Sequence, residues 1–214
     1  LRCVSLFSLF ASLAVATLFV GVARETLFPT ARLLAEAIGH GSVPAMAAAF
    51  VVLAALVATT GYAPEAKGAA FPLAPREVPW TLLVPVLLGL SYGQVHPDPP
   101  LWQRSDIASS VLWYVLAVPL AEELVFRGGL YGALLRTGAA RPLTASNPLP
   151  TAVWLSAAAF AVWHWDAGMS TMLRTFGLGL WLGWLRWRTG GGPFRGCRLP
   201  ALAHGLVNGA AILL

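Results

Sequence analysis

The chain has 214 residues, 57% of them hydrophobic and only 11% charged, with a mean hydropathy of +0.71. A soluble domain carries roughly 25% charged residues, so the composition argues against a water-soluble protein and for a polytopic membrane protein. The net charge of +5 comes from scattered arginines, not from a basic run, which leaves no nucleic-acid footprint. Cys3 and Cys197 stand far apart without CxxC spacing, which argues against a disulfide framework or a thiolate metal site and leaves two free thiols.

Apolar runs bounded by Pro, Gly and charged clusters predict seven spans, at about 3–22, 43–60, 79–95, 107–137, 150–166, 170–188 and 199–214. The expected fold is an all-α polytopic transmembrane bundle forming a single domain over residues 1–214. The first run continues to Val22, longer than the apolar part of a secretory leader, and reads as a first transmembrane helix. The next stretch, "RETLFPTARLLAEAIGHG", sets apolar residues at helical spacing beside Arg24, Arg32 and Glu36 and reads as an interfacial segment. His40 and His96 fall in Gly- and Pro-containing connectors and read as exposed loop residues. In the sixth span, "GLGLWLGW" sets Gly179 and Gly183 four apart, a small-residue face that admits a neighbouring helix.

Seven spans alternate the loops between two sides. Of the 14 Lys and Arg residues, Arg24, Arg32, Arg104 and Arg174 fall on one side, Arg127 lies within span 4, and the rest fall on the other. By the positive-inside rule the N-terminus is expected in the cytoplasm.

The fourth span contains "LAEELVFRGG", residues 120–129, with Glu122, Glu123 and Arg127 amid apolar neighbours. Each ionised group at a helix centre costs about 3 kcal/mol to insert, so the cluster requires compensation. Neighbouring residues on a helix point about 100° apart. Glu123 and Arg127, at i,i+4, share a face and can pair, while Glu122 points elsewhere. Gly128 and Gly129 leave room for a neighbouring helix or a substrate chain.

Two histidines in later spans offer partners. His164 ends "FAVWH", and His204 stands four residues before Asn208 in "HGLVN", so those two share a face. If spans 4 and 5 form a hairpin, Glu122 and His164 lie at matching heights on either side of the connector. His204 and Asn208 match that depth only if "GGGPFRGCRLP" dips into the protein or the last helix begins early. Asp166 reads as a mark of the membrane boundary.

A carboxylate hydrogen-bonded to an imidazole can hold and deprotonate a water, and a second His with an amide can donate to an oxyanion. The group suits peptide hydrolysis. No GxSxG, Cys–His neighbour or HExxH is present; two His and one Glu leave zinc as a lesser alternative.

The order EExxxR, FxxxH, HxxxN, here "EELVFR", "FAVWH" and "HGLVN", resembles the CPBP family of glutamate-dependent intramembrane proteases, the type II CAAX prenyl endopeptidases, over roughly residues 107–210. The resemblance implies an all-α enzyme without a metal or other cofactor that cuts near the carboxyl end of membrane-anchored or lipidated proteins. It implies that Glu122 with His164 activates water, Glu123 with Arg127 orders the site, and His204 with Asn208 supports the oxyanion. The expected partners are the lipid bilayer and a membrane-anchored protein or peptide, and the expected location is a bacterial inner membrane. Within that family, removal of a C-terminal sorting anchor is a narrower expectation. The competing readings are a noncatalytic scaffold or bacteriocin-immunity protein of the same fold, and a transporter or proton relay.

Overall fold

A computed structural model describes residues 5–37, 42–60, 77–93, 106–144 and 149–213. Cys3, His40, His96 and the basic residues Arg2, Lys67, Arg76 and Arg104 lie outside the described residues. The long helices are α1 (Leu6–Ala37), α2 (Val43–Thr60), α3 (Val78–Gly93), α4 (Ile107–Ala139), α5 (Thr151–Trp163), α6 (Met169–Thr189) and α7 (Pro193–Leu213). Among the described residues the one departure from helices and turns is an isolated bridge between Pro142 and Pro150. The all-α bundle expected from the apolar runs is present, and α1, α2 and α4 are each long and apolar enough to cross a bilayer.

Small residues set how closely these helices approach. A β-carbon on Gly179 would lie 3.0 Å from Ala157 Cα, and one on Gly183 would lie 3.0 Å from Val153 Cγ1, so the glycine face of α6 seats α5. Gly128 meets Ala58 and Gly129 meets Val57, both on α2, so the space beside these two glycines is filled by a neighbouring helix. On α1 the buried residues Ala23, Leu27, Ala31 and Ala35 recur every four positions, and on α2 Ala47, Phe50, Ala54 and Ala58 do nearly the same. These two stripes belong to helices packed on each other.

Two boundaries differ from expectation. Residues 24–37 are not a separate interfacial segment: they continue α1 as one 32-residue helix, because the four-residue stripe carries on past Val22 and has α2 to bury it. Arg24 therefore sits inside a helix and not in a loop. The last helix begins at Pro193, where Pro's fixed φ suits a first turn. Gly190 and Gly191, at φ +55° and +85°, turn the chain out of α6 just before it.

Helix α4 is not uniform. Asp106 caps it, accepting the Ser109 N–H at 3.0 Å, and the hydrogen bonds from the Ser109 side chain and backbone hold the Asp106 carboxyl below its usual range. Val111–Ala117, Leu124–Leu130 and Leu135–Ala139 wind as π-helix, whose i→i+5 bonds widen each turn by one residue. In the first of these, Val118 N–H reaches back five residues to Trp113 O. The next link would run from residue 119 to Tyr114 O, but Pro119 has no N–H. Asn208 Nδ2 of α7 donates to Tyr114 O at 2.9 Å.

Depth follows from helix lengths. Ser12 of α1 bonds Thr137 near the end of α4. At 1.5 Å per residue, Arg24, Glu122 and His164 each lie about 20 Å from that end, along α1, α4 and α5 respectively. Helix α5, with 13 residues, is the shortest of the seven and stops at this level.

Candidate active site

At the centre Glu123 and Arg127, one α4 turn apart, are both fully buried and paired at 3.1 Å. Arg127 Nη2 donates to Gly179 O on α6 at 3.1 Å, and its guanidinium lies 4.7 Å from the Phe160 ring centroid on α5. One cation thus ties three helices. Gly179 serves twice: its missing side chain admits α5, and its carbonyl receives the arginine.

His204 of α7 joins this pair to the second acid. Its Nδ1 is 3.0 Å from Glu123 Oε1, and its Nε2 is 3.7 Å from Glu122 Oε2. Because the Glu123 carboxylate accepts, Nδ1 carries the proton, and Nε2 is the nitrogen turned to Glu122. Glu122 is buried and makes no hydrogen bond of its own among the described residues. The Cys197 thiol, buried and unbridged, donates to the Glu123 backbone carbonyl at 3.3 Å and fixes the first turns of α7 against α4.

His164 stands where α5 ends. Its Nδ1 donates to Phe160 O at 2.8 Å, which leaves Nε2 as an acceptor in the neutral ring. The Phe160 ring lies between the two imidazoles, 4.8 Å from His164 and 5.6 Å from His204. The expected direct hydrogen bond between Glu122 and His164 is absent: the imidazole that approaches Glu122 is His204. The early start of α7 is the reason, since it brings His204 to the depth of the glutamates. Asn208 keeps its place on the His204 face but gives one N–H to Tyr114 O. Asp166 pairs with Arg24 at 2.9 Å.

Three contributors were not singled out by sequence. Arg186, 3% exposed, donates from Nε to Arg127 O at 3.2 Å and from Nη2 to Gly191 O at 2.9 Å, and Gly196 leaves the space its guanidinium occupies. In the sequence it counts only among the basic residues of the side opposite Arg24. Cys197 and Arg24 likewise gave no local signal, since their partners are 74 and 142 positions away. Among the described residues no group of three or more His, Cys, Asp or Glu side chains is arranged to hold a metal ion.

A family model described as type II CAAX prenyl endopeptidase Rce1-like matches residues 104–210. The chain belongs to that family. The Rce1-like region opens just before α4 and closes within α7, so it holds Glu122, Glu123, Arg127, His164, His204 and Asn208, while α1–α3 lie outside it. Membership makes this an integral membrane protein of the CAAX-protease type, whose general activity is peptidase action on a protein substrate. Comparisons with curated proteins and with solved structures give no match.

Proposed function

We propose that this chain is a single-domain, glutamate-dependent intramembrane endopeptidase that hydrolyses a peptide bond near the C-terminus of a membrane-anchored or lipidated protein. The observation that carries the reading is His204 held between Glu123 and Glu122 at bilayer depth, with Nδ1 committed to one carboxylate and Nε2 turned to the other. Glu122, without a hydrogen bond of its own, is the base. It takes a proton from a water whose other hydrogen is accepted by His164 Nε2. The water oxygen attacks the scissile carbonyl carbon, and the donors assigned to the oxyanion are the second N–H of Asn208 and, with the His204 ring protonated on both nitrogens, its Nε2–H. When the C–N bond breaks, Glu122 returns its proton to the leaving amine. Glu123, Arg127 and Gly179 O hold the assembly in register.

The substrate class follows from the family and the bilayer: an anchored or prenylated chain that presents an extended C-terminal segment, including a C-terminal sorting anchor. A bacterial inner membrane with the N-terminus in the cytoplasm is the setting proposed. The decisive variant is Glu122→Gln, nearly isosteric but unable to act as a base. It is expected to insert and fold normally and to lose at least about 100-fold in cleavage of a farnesylated CAAX-type fluorogenic peptide or a membrane-anchored reporter. Wild-type cleavage by folded Glu122→Gln would overturn Glu122 as the base, whereas absence of cleavage by the folded wild-type chain would favour a noncatalytic scaffold.

A further inference from the structure

His164 does not sit within a regular helix. It follows the last residue of α5 at φ −101°, ψ 21°, leads into a single 3₁₀ turn over Trp165–Ala167, and the chain then reverses at Gly168 with φ +87°. Internal bonds are few here: Ala167 N–H to His164 O at 3.1 Å and Gly168 N–H to Trp165 O at 3.2 Å. The Nδ1 bond to Phe160 O fixes the ring relative to α5, and where Nε2 points in the site then depends on what holds this corner. One guanidinium from α1 grips it on both sides of the histidine. Arg24 Nη1 donates to Trp163 O at 3.5 Å, Nη2 donates to Asp166 Oδ2 at 2.9 Å, and the guanidinium carbon lies 5.4 Å from the Trp165 ring centroid. The planar fork reaches all three, which a point charge cannot.

We infer that Arg24, with Asp166, is a positioning pair for His164, so that α1, outside the family-matched region, contributes to the geometry of the reaction. This rests on the reading of His164 as a water-orienting residue. The Arg24 and Asp166 side chains are 30% and 63% exposed. An ion pair so exposed adds little to global stability, so its loss loosens the corner without unfolding the bundle. Misplacement of a reacting group by about 1 Å costs on the order of 100-fold in rate, and partial loosening costs less.

The test compares Arg24→Gln, Arg24→Lys and Asp166→Asn in the full chain, reconstituted in liposomes with the farnesylated CAAX-type peptide, with kcat and KM taken separately and thermal unfolding followed in parallel. Arg24→Gln and Asp166→Asn should each lower kcat about tenfold, with KM within about twofold and unchanged unfolding, and Arg24→Lys should recover part of kcat. If kcat for both stays within about twofold of wild type, or its loss merely follows the loss of folded protein, the inference is overturned. Glu122→Gln and His164→Ala in the same assay separate the two ideas. When those are inactive and Arg24→Gln is not, only the positioning role fails; when His164→Ala is fully active, both fail together.

Discussion

Arg127 is fully enclosed, between Glu123, Gly179 O and the Phe160 ring. Removing one member of such a pair strands the other in a place without water, at a cost of about 3–5 kcal/mol. Arg127→Met and Glu123→Leu should each abolish recovery of folded, detergent-stable protein, whereas the double variant should recover part of it; size-exclusion profiles and unfolding temperatures check this. Asn208→Leu should also lower stability, by about 1–2 kcal/mol, because Tyr114 O would lose the amide that replaces the missing Pro119 N–H. At this scale helical phase alone made the Glu123–Arg127 pair legible. The partner of Glu122 was not legible, because the choice between His164 and His204 turned on where α7 begins. That start was hidden in "GGGPFRGCRLP", whose glycines and proline read as a connector until Gly190 and Gly191 are seen to make the turn and Pro193 the first helical residue.

Among the helices, the α5–α6 contact shows how much depends on the absence of a side chain. Gly179→Leu should separate the two helices and pull the Gly179 carbonyl from Arg127, with loss of folded protein. Gly177, two positions away on the same helix, has no heavy atom within 4 Å of where a β-carbon would lie. Gly177→Ala should therefore be neutral or stabilise by up to about 1 kcal/mol, and unfolding of the pair side by side checks that contact decides the outcome. The cap of α4 gives a pH effect of known sign. The Asp106 carboxyl is held below its usual range by Ser109, so its contribution is present above the ordinary carboxylate range and is lost as pH falls through the lowered value. The protection factor of the Ser109 amide, measured against its intrinsic exchange rate, should fall there and should show no such step in Asp106→Asn. The "GLGLWLGW" face could be read because residue size is local information. The π-turns of α4 could not, since the α4 carbonyls Tyr114 O and Arg127 O accept from side chains on distant helices, Asn208 of α7 and Arg186 of α6.

For the molecule as a whole, hydropathy was enough to foresee a bundle of long helices, and it failed only where length and burial interact. Helix α1 runs on past the expected boundary because α2 covers its alanine stripe, and Arg24 is carried with it into contact with Asp166. The proposed orientation is open to a direct check: a cysteine placed beyond Gly41 should react with an impermeant maleimide from the side opposite to one placed near Leu143. The shortness of α5 has a consequence for solvent supply. Hydrolysis consumes water, which hydrocarbon excludes, and a bilayer core is about 30 Å thick. The 13 residues of α5 reach only about 20 Å, so a helix that starts at one interface leaves the corner carrying His164 short of the other. Lengthening the lipid tails sinks that corner deeper while leaving every side chain unchanged. Cleavage by the purified enzyme should therefore slow as acyl chains lengthen across a series of phosphatidylcholine liposomes.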